Sequence, residues 1–218
     1  MRGALLAVFL IAATPAFAQT ADRLPWFAVD LHAATVGIPQ AEGWVPVVSA
    51  DTKLPGRNWG TAMGVTVYPV KLGILTIGVG GSIISGKGTG DASYTTGSGS
   101  TAKTVMTQVV HTGMTSLAPQ LSMNFGHKLG WSYLSLGIGR SKVTSRSDAL
   151  GPKAGVVVPE AWNSALNFGG GAKWFMKKPL GAGFDARFVK LASRSPTAVL
   201  PSAKRTQLWN ISAGISIQ

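Results

Sequence analysis

Side chains that switch between apolar and polar at every second position confine a chain to strands with two unlike faces. Residues 166–191, LNFGGGAKWFMKKPLGAGFDARFVKL, do this twice in succession. Leu166, Phe168, Gly170, Ala172, Trp174 and Met176 share one parity, against Asn167, Gly169, Gly171, Lys173 and Phe175. After Lys177-Lys178-Pro179, Leu180, Ala182, Phe184, Ala186 and Phe188 oppose Gly181, Gly183, Asp185, Arg187 and Val189. Successive side chains of a strand point to opposite faces, whereas a helix would scatter these residues around its circumference. The glycine cluster therefore reads as strand, not as a phosphate loop. The stretch GSIISGKG at 81–88 nearly matches a P-loop but has Gly88 where the Mg²⁺-binding hydroxyl belongs, and no helical pattern follows it.

The alternation recurs along the chain and predicts eight strands, at 26–36, 59–70, 74–86, 115–126, 131–143, 162–176, 180–191 and 205–218. Most approach or exceed the roughly 9–11 residues of a tilted membrane strand. The connections alternate in length. Those at 71–73, 127–130 and 177–179 are tight, and those at 37–58, 87–114, 144–161 and 192–204 are long. Short periplasmic turns opposite longer external loops are the signature of an antiparallel transmembrane barrel.

The first residues, MRGALLAVFLIAATPAFA, carry one cation, a short apolar run and a small-x-small ending, so 1–18 reads as a secretory signal peptide and 19–218 as one barrel domain. The apolar run is too short for a helical span of about 20 residues. Cysteine is absent, which excludes disulfides, thiolate metal sites and cysteine nucleophiles. Charged residues make up 13%, about half the usual share, yet 20 Lys and Arg stand against 8 Asp and Glu, for a net charge of +12. Such an excess favours anionic partners. Export makes acidic lipid headgroups the expected ones, and nucleic acid is not expected.

Two groups of charged residues emerge from the parity. Asp30, His32, Lys173, Asp185 and Arg187 share the inward face, where buried charges must pair and hydrogen-bond. An eight-stranded barrel has an interior barely wide enough for its own side chains. A filled polar lumen with an internal charge network is the expectation, with Tyr68, Trp131 and Tyr133 also filling it. Lys87, Arg140, Lys142, Lys190 and Arg205 instead have lipid-facing parity at the outer strand ends, a ring suited to lipopolysaccharide phosphates or to snorkelling into water. Phe27, Phe125 and Trp174 should mark the periplasmic interface and Trp59, Trp162 and Phe188 the outer one.

His111 and His127 fall in loop or turn positions without an accompanying His-x-Ser, so no catalytic Ser–His–acid set is expected. Asp30 and His32 lack further clustered ligands for a metal. No cofactor is expected either.

The hairpin with Asn167-Phe168-Gly169-Gly170-Gly171 leading into Asp185-x-Arg187 resembles the penultimate hairpin of the small outer-membrane β-barrel families, OmpA-like and OmpW-like, of porin type. GWSYLSLGIGRSKV at 130–143 is similar to their central Tyr/Gly-rich strand. The resemblance implies an eight-stranded outer-membrane barrel inserted by the barrel-assembly machinery, with Asp185 and Arg187 as a structural lumen pair. It covers the barrel only, and cell-wall tethering is not expected. Many members end in an aromatic residue, where this chain has Ile217-Gln218. The expected protein is a monomer without catalytic activity, serving membrane integrity or surface interaction. A lipid A-modifying enzyme and a narrow solute channel are the alternatives.

Overall fold

The computed structural model describes residues 24–40, 43–44, 56–96, 103–148, 161–196 and 201–218. The proposed signal peptide lies outside the described residues. Eight strands follow one another: β1 (Phe27–Gly37), β2 (Arg57–Leu72), β3 (Leu75–Thr96), β4 (Lys103–His127), β5 (Gly130–Asp148), β6 (Trp162–Lys177), β7 (Leu180–Leu191) and β8 (Thr206–Ile217). Each pairs antiparallel with the next, and β8 returns to β1 from Val29↔Ile217 to Thr35↔Ile211, closing the barrel. Closure gives backbone groups cross-strand partners all round, which is what allows a sheet to sit in hydrocarbon. Among the described residues there is no helix.

Two-residue turns at 73–74, 128–129 and 178–179 join β2–β3, β4–β5 and β6–β7. The first depends on Gly73, whose φ of 61° lies in the left-handed region that side chains disfavour. One expectation is corrected at the opposite end. Residues 87–96 and 103–114 are strand, not loop, paired continuously from Lys87↔Gly113 to Thr96↔Lys103 apart from one irregularity near Tyr94. β5 likewise runs on through residues 144–148 against β4, and His111 sits within β4 instead of a loop. Residues 85–103 are rich in Gly, Ser and Thr, the composition of mobile surface, although VMTQVVHTG at 105–113 allows a hairpin above the membrane. Threonine is also a good strand former, and cross-strand bonds satisfy a backbone above the bilayer as well as water does.

The residue distribution is that of a soluble protein turned outward. Leu31, Met63, Leu121, Leu136, Ile138 and Ile211 are exposed, Ile138 at 74%. Asn124, Asn167, Lys173 and Asp185 are buried within the cylinder, Lys173 at 2%. A continuous apolar exterior of this kind far exceeds the few hundred Å² that soluble monomers tolerate. It belongs in hydrocarbon. Exposed Trp26, Phe27 and Trp174 border the band near the turns, and Trp59, Trp162, Phe188 and Trp209 border it near the loops.

The interior is filled, with the expected Tyr68, Trp131 and Tyr133 in it, and it also holds an apolar cluster that the polar-lumen expectation did not include. Near the turns, Trp131 stacks on Phe175 with centroids 5.1 Å apart and meets Tyr68 edge-on at 5.7 Å, over Leu24 and Ala28. Toward the loops, Val36, Ile38, Ile84, Met114, Val143, Val189, Leu191 and Leu208 form a dry core. Polar groups lie mainly between these layers and at their margins. Apolar packing fills these end layers, where an unpaired buried polar group would cost more.

Fully buried Trp44 seats on the loop-side core. Its indole Nε1 donates to the Lys204 carbonyl at 2.9 Å. Arg194 lies over the same ring at 5.4 Å, donates to the Gly43 carbonyl, and pairs backbone to backbone with Ala203.

Candidate functional site

The middle layer gathers all five inward charges expected there. Lys173 Nζ lies 2.6 Å from Asp30 Oδ2, across the lumen from β6 to β1, and Ser216 Oγ donates to Asp30 Oδ1 at 2.6 Å. On β7, Arg187 grips Asp185 two positions earlier through Nε–Oδ1 at 3.0 Å and Nη2–Oδ2 at 2.9 Å. The fork geometry of guanidinium suits such a two-point contact. Its remaining nitrogen, Nη1, reaches Gln120 Oε1 at 2.6 Å and Ser82 Oγ at 2.9 Å, tying β7 to β4 and β3. Tyr133 donates its hydroxyl to Asp185 Oδ2 at 2.8 Å.

Ser82, Gln120, Tyr133 and Ser216 were absent from the expected charge network. Their inward parity could have flagged them, but their heights along the axis could not be read. The glycines opposite these groups make room. A Cβ at Gly171 would come within 2.9 Å of the Tyr133 hydroxyl, and one at Gly183 within 3.0 Å of His32 Nε2.

His32 Nδ1 sits 3.2 Å from Ser212 Oγ, whereas its buried Nε2 has no hydrogen-bond partner. A Ser–His–acid relay needs a carboxylate on the second imidazole nitrogen and an open face on the serine. Neither is present here. The residual cavity among these side chains measures about 30 Å³, space for water and nothing larger. Among the described residues no cluster of three His, Cys, Asp or Glu could hold a metal. Residues 81–88 are extended strand paired with β2 and β4, so they form no phosphate loop.

The second group stays on the exterior. Lys87, Arg140 and Arg205 are exposed and Lys190 is half-buried, all near the loop end. Lys142 Nζ lies 5.8 Å from the Trp162 ring centroid. Parity missed one member of this rim. Arg57, the first residue of β2, crosses over β1 to the face of Trp209 on β8, with Cζ 3.8 Å from the ring centroid. On the way its Nη2 donates to Thr35 Oγ1 at 2.5 Å. One side chain thus fastens β2, β1 and β8 beside the seam where the barrel closes. By sequence Arg57 falls in the 37–58 connection, and nothing in the sequence signals such a contact.

No protein-family model matches the chain, and no curated protein matches it. Among solved structures it is similar to Neisserial surface protein A, at 11% identity over 88% of this chain and 97% of that one, with a TM-score of 0.46. It is also similar to the attachment invasion locus protein of Yersinia pestis, solved with the heparin analogue sucrose octasulfate, at 14% identity, 88% and 96% coverage and a TM-score of 0.44. The N-terminal barrel of Pseudomonas aeruginosa OprF follows at 11%, 87% and 96%, with a TM-score of 0.38. At these identities and scores the likeness carries nothing about function. The fold itself stands on the chain's own strand pairing: an eight-stranded, closed, antiparallel barrel with an apolar exterior.

Proposed function

We propose that this protein is a sealed structural barrel of the bacterial outer membrane, with its turns in the periplasm, whose basic outer rim engages the phosphates of lipopolysaccharide. The single observation that carries this reading is the contrast between its two sets of charges. Inside, each guanidinium or ammonium of the ionic layer has a carboxylate. Outside, Lys87, Arg140, Lys190 and Arg205 make no hydrogen bond or ion pair with any described residue. Cations exposed at one end of a hydrophobic band meet the headgroup layer, where a charge costs about 0–1 kcal/mol instead of the 2–4 of the mid-bilayer. Catalysis and solute passage are not part of the proposal. The Ser212–His32 pair faces a residual cavity of only about 30 Å³, and two apolar layers flank it. Insertion would use the barrel-assembly machinery, and the protein acts as a monomer.

Heat-modifiability gels on fractionated membranes test the placement: the folded barrel should run ahead of the boiled chain and partition with the outer membrane. Recovery from the soluble periplasm overturns it. Replacing Lys87, Arg140, Lys142, Lys190 and Arg205 together by Gln should abolish co-purification of lipopolysaccharide, and undiminished co-purification rejects the rim as a phosphate contact. Unchanged lipid A mass spectra and a silent planar bilayer are expected. Altered lipid A or steady conductance would favour the enzyme or the channel.

A further inference from the structure

Within the basic rim, the exterior of β4, β5 and β6 is shaped as well as charged. A groove of about 580 Å³ runs down the surface there, lined by Leu117, Pro119, Ile138, Arg140, Trp162 and Ser164. Two outward residues smaller than their neighbours along the strand shape it. Pro119 stands where Leu117 and Leu121 flank it, and Ser164 stands between Trp162 and Leu166. The lower part is therefore an apolar trough bordered by Leu117, Pro119 and Ile138.

The upper part is cationic. Arg140 pairs in register with Ser164 on one side and Leu117 on the other, which places its side chain at the head of the trough. Lys142 pairs with Trp162, and its ammonium leans toward that ring. Lys190 stands on the neighbouring strand opposite Leu166. Neighbouring strands lie about 4.8 Å apart, so Arg140 stands beside Ser164 while Lys142 and Lys190 each stand one outward position along from that pair. No acidic residue occupies the outward positions from 138 to 142, 162 to 168 or 186 to 190.

We propose that this groove is a seat for one phosphate-bearing lipid of the outer leaflet. Arg140, Lys142 and Lys190 converge on the headgroup phosphate, Ser164 supplies a hydroxyl, Trp162 flanks the headgroup at the interface, and an acyl chain lies along Leu117, Pro119 and Ile138. The complement is specific: a phosphate alone has no use for the trough, and an uncharged lipid leaves Arg140 and Lys190 unmatched. Arginine presents several donors in a fork that fits phosphate oxygens, so it is the centre of the seat. The proposal rests on the outer-membrane reading above and narrows the diffuse rim to one place.

Native mass spectrometry on the detergent-folded protein tests it, with bisphosphorylated lipid A, dephosphorylated lipid A and phosphatidylethanolamine as probes. The wild type should retain one bisphosphorylated lipid A preferentially. Arg140→Gln should reduce that retention roughly tenfold. Ser164→Leu, which fills the groove without touching the charge and adds only apolar surface to the lipid face, should do the same. Arg205→Gln, on the rim but away from the groove, should weaken it several-fold less than Arg140→Gln does. Heat-modifiability gels confirm that each variant is folded.

If Arg205→Gln weakens retention as much as Arg140→Gln, or if Ser164→Leu has no effect, the seat is overturned while a diffuse basic rim survives. If no cation variant matters and dephosphorylated lipid A binds equally well, the rim reading falls with it. Displacement by excess inorganic phosphate, with the acyl chains making no difference, overturns the assignment to a lipid.

Discussion

Replacing Arg187 by Met removes the central cation of a buried ionic layer, and the structure sets the size of the effect. Asp185 is 7% exposed and would lose both guanidinium contacts, keeping only the Tyr133 hydroxyl. Ser82 and Gln120 would lose their shared donor at the same time. Breaking one partner of a buried ion pair costs about 3–5 kcal/mol, because a charge is left without compensation. Replacing both partners removes that charge. Asp185→Asn with Arg187→Met should therefore unfold within about 2 kcal/mol of the wild type, the remainder reflecting neutral hydrogen bonds worth about 1 kcal/mol each. Reversible urea unfolding in lipid vesicles, read by tryptophan fluorescence and gel mobility, measures all four corners of the cycle. The coupling between the two sites should exceed roughly 2 kcal/mol. A single-variant cost below about 1 kcal/mol, or strictly additive effects, would show that the pair is not a coupled buried unit and refute the reasoning.

Other expectations follow from single contacts. Arg57→Ala loses a stacked guanidinium and a charged hydrogen bond beside the β1–β8 seam, so it should lower stability by about 1–3 kcal/mol in the same urea assay; no change would make the contact ornamental. Trp44→Ala empties a fully buried indole site and should cost about 3–5 kcal/mol, yet planar bilayers should stay silent because the ionic and aromatic layers below still close the lumen. Steady conductance in that variant would place the seal at the loops alone. Gly60→Ala would drive a Cβ into the Ser85 carbonyl oxygen, so little or no heat-modifiable barrel should be recovered; normal recovery would show that β2 and β3 can separate there without penalty.

The parity of Leu166–Leu191 proved a sufficient guide to which residues face out. Phe188 and Trp174 lie on the exterior while Lys173, Asp185 and Arg187 lie within, as the alternation dictates. Strand ends were legible near the turns, where Gly73 and Pro179 break the pattern. They were not legible at the loop end, where β3 and β4 pair beyond the bilayer and composition alone does not separate strand from loop. The outer half of the lumen was missed for a related reason. Val36, Ile84, Val143 and Val189 have inward parity, but the inward positions singled out were the charged and aromatic ones.

Two-fold periodicity is a property of the backbone, so the sequence by itself determined the strand order, the inward and outward faces and the set of charges that must be neutralised inside. It carried no information about height along the axis. That Lys173 meets Asp30, 143 positions away, and that Arg187 reaches Gln120 and Ser82, depends on how far each strand is staggered against the next when β8 closes on β1. The stagger is a property of the closed ring, and only the tertiary structure decided which inward groups share a level and which outward ones share a groove.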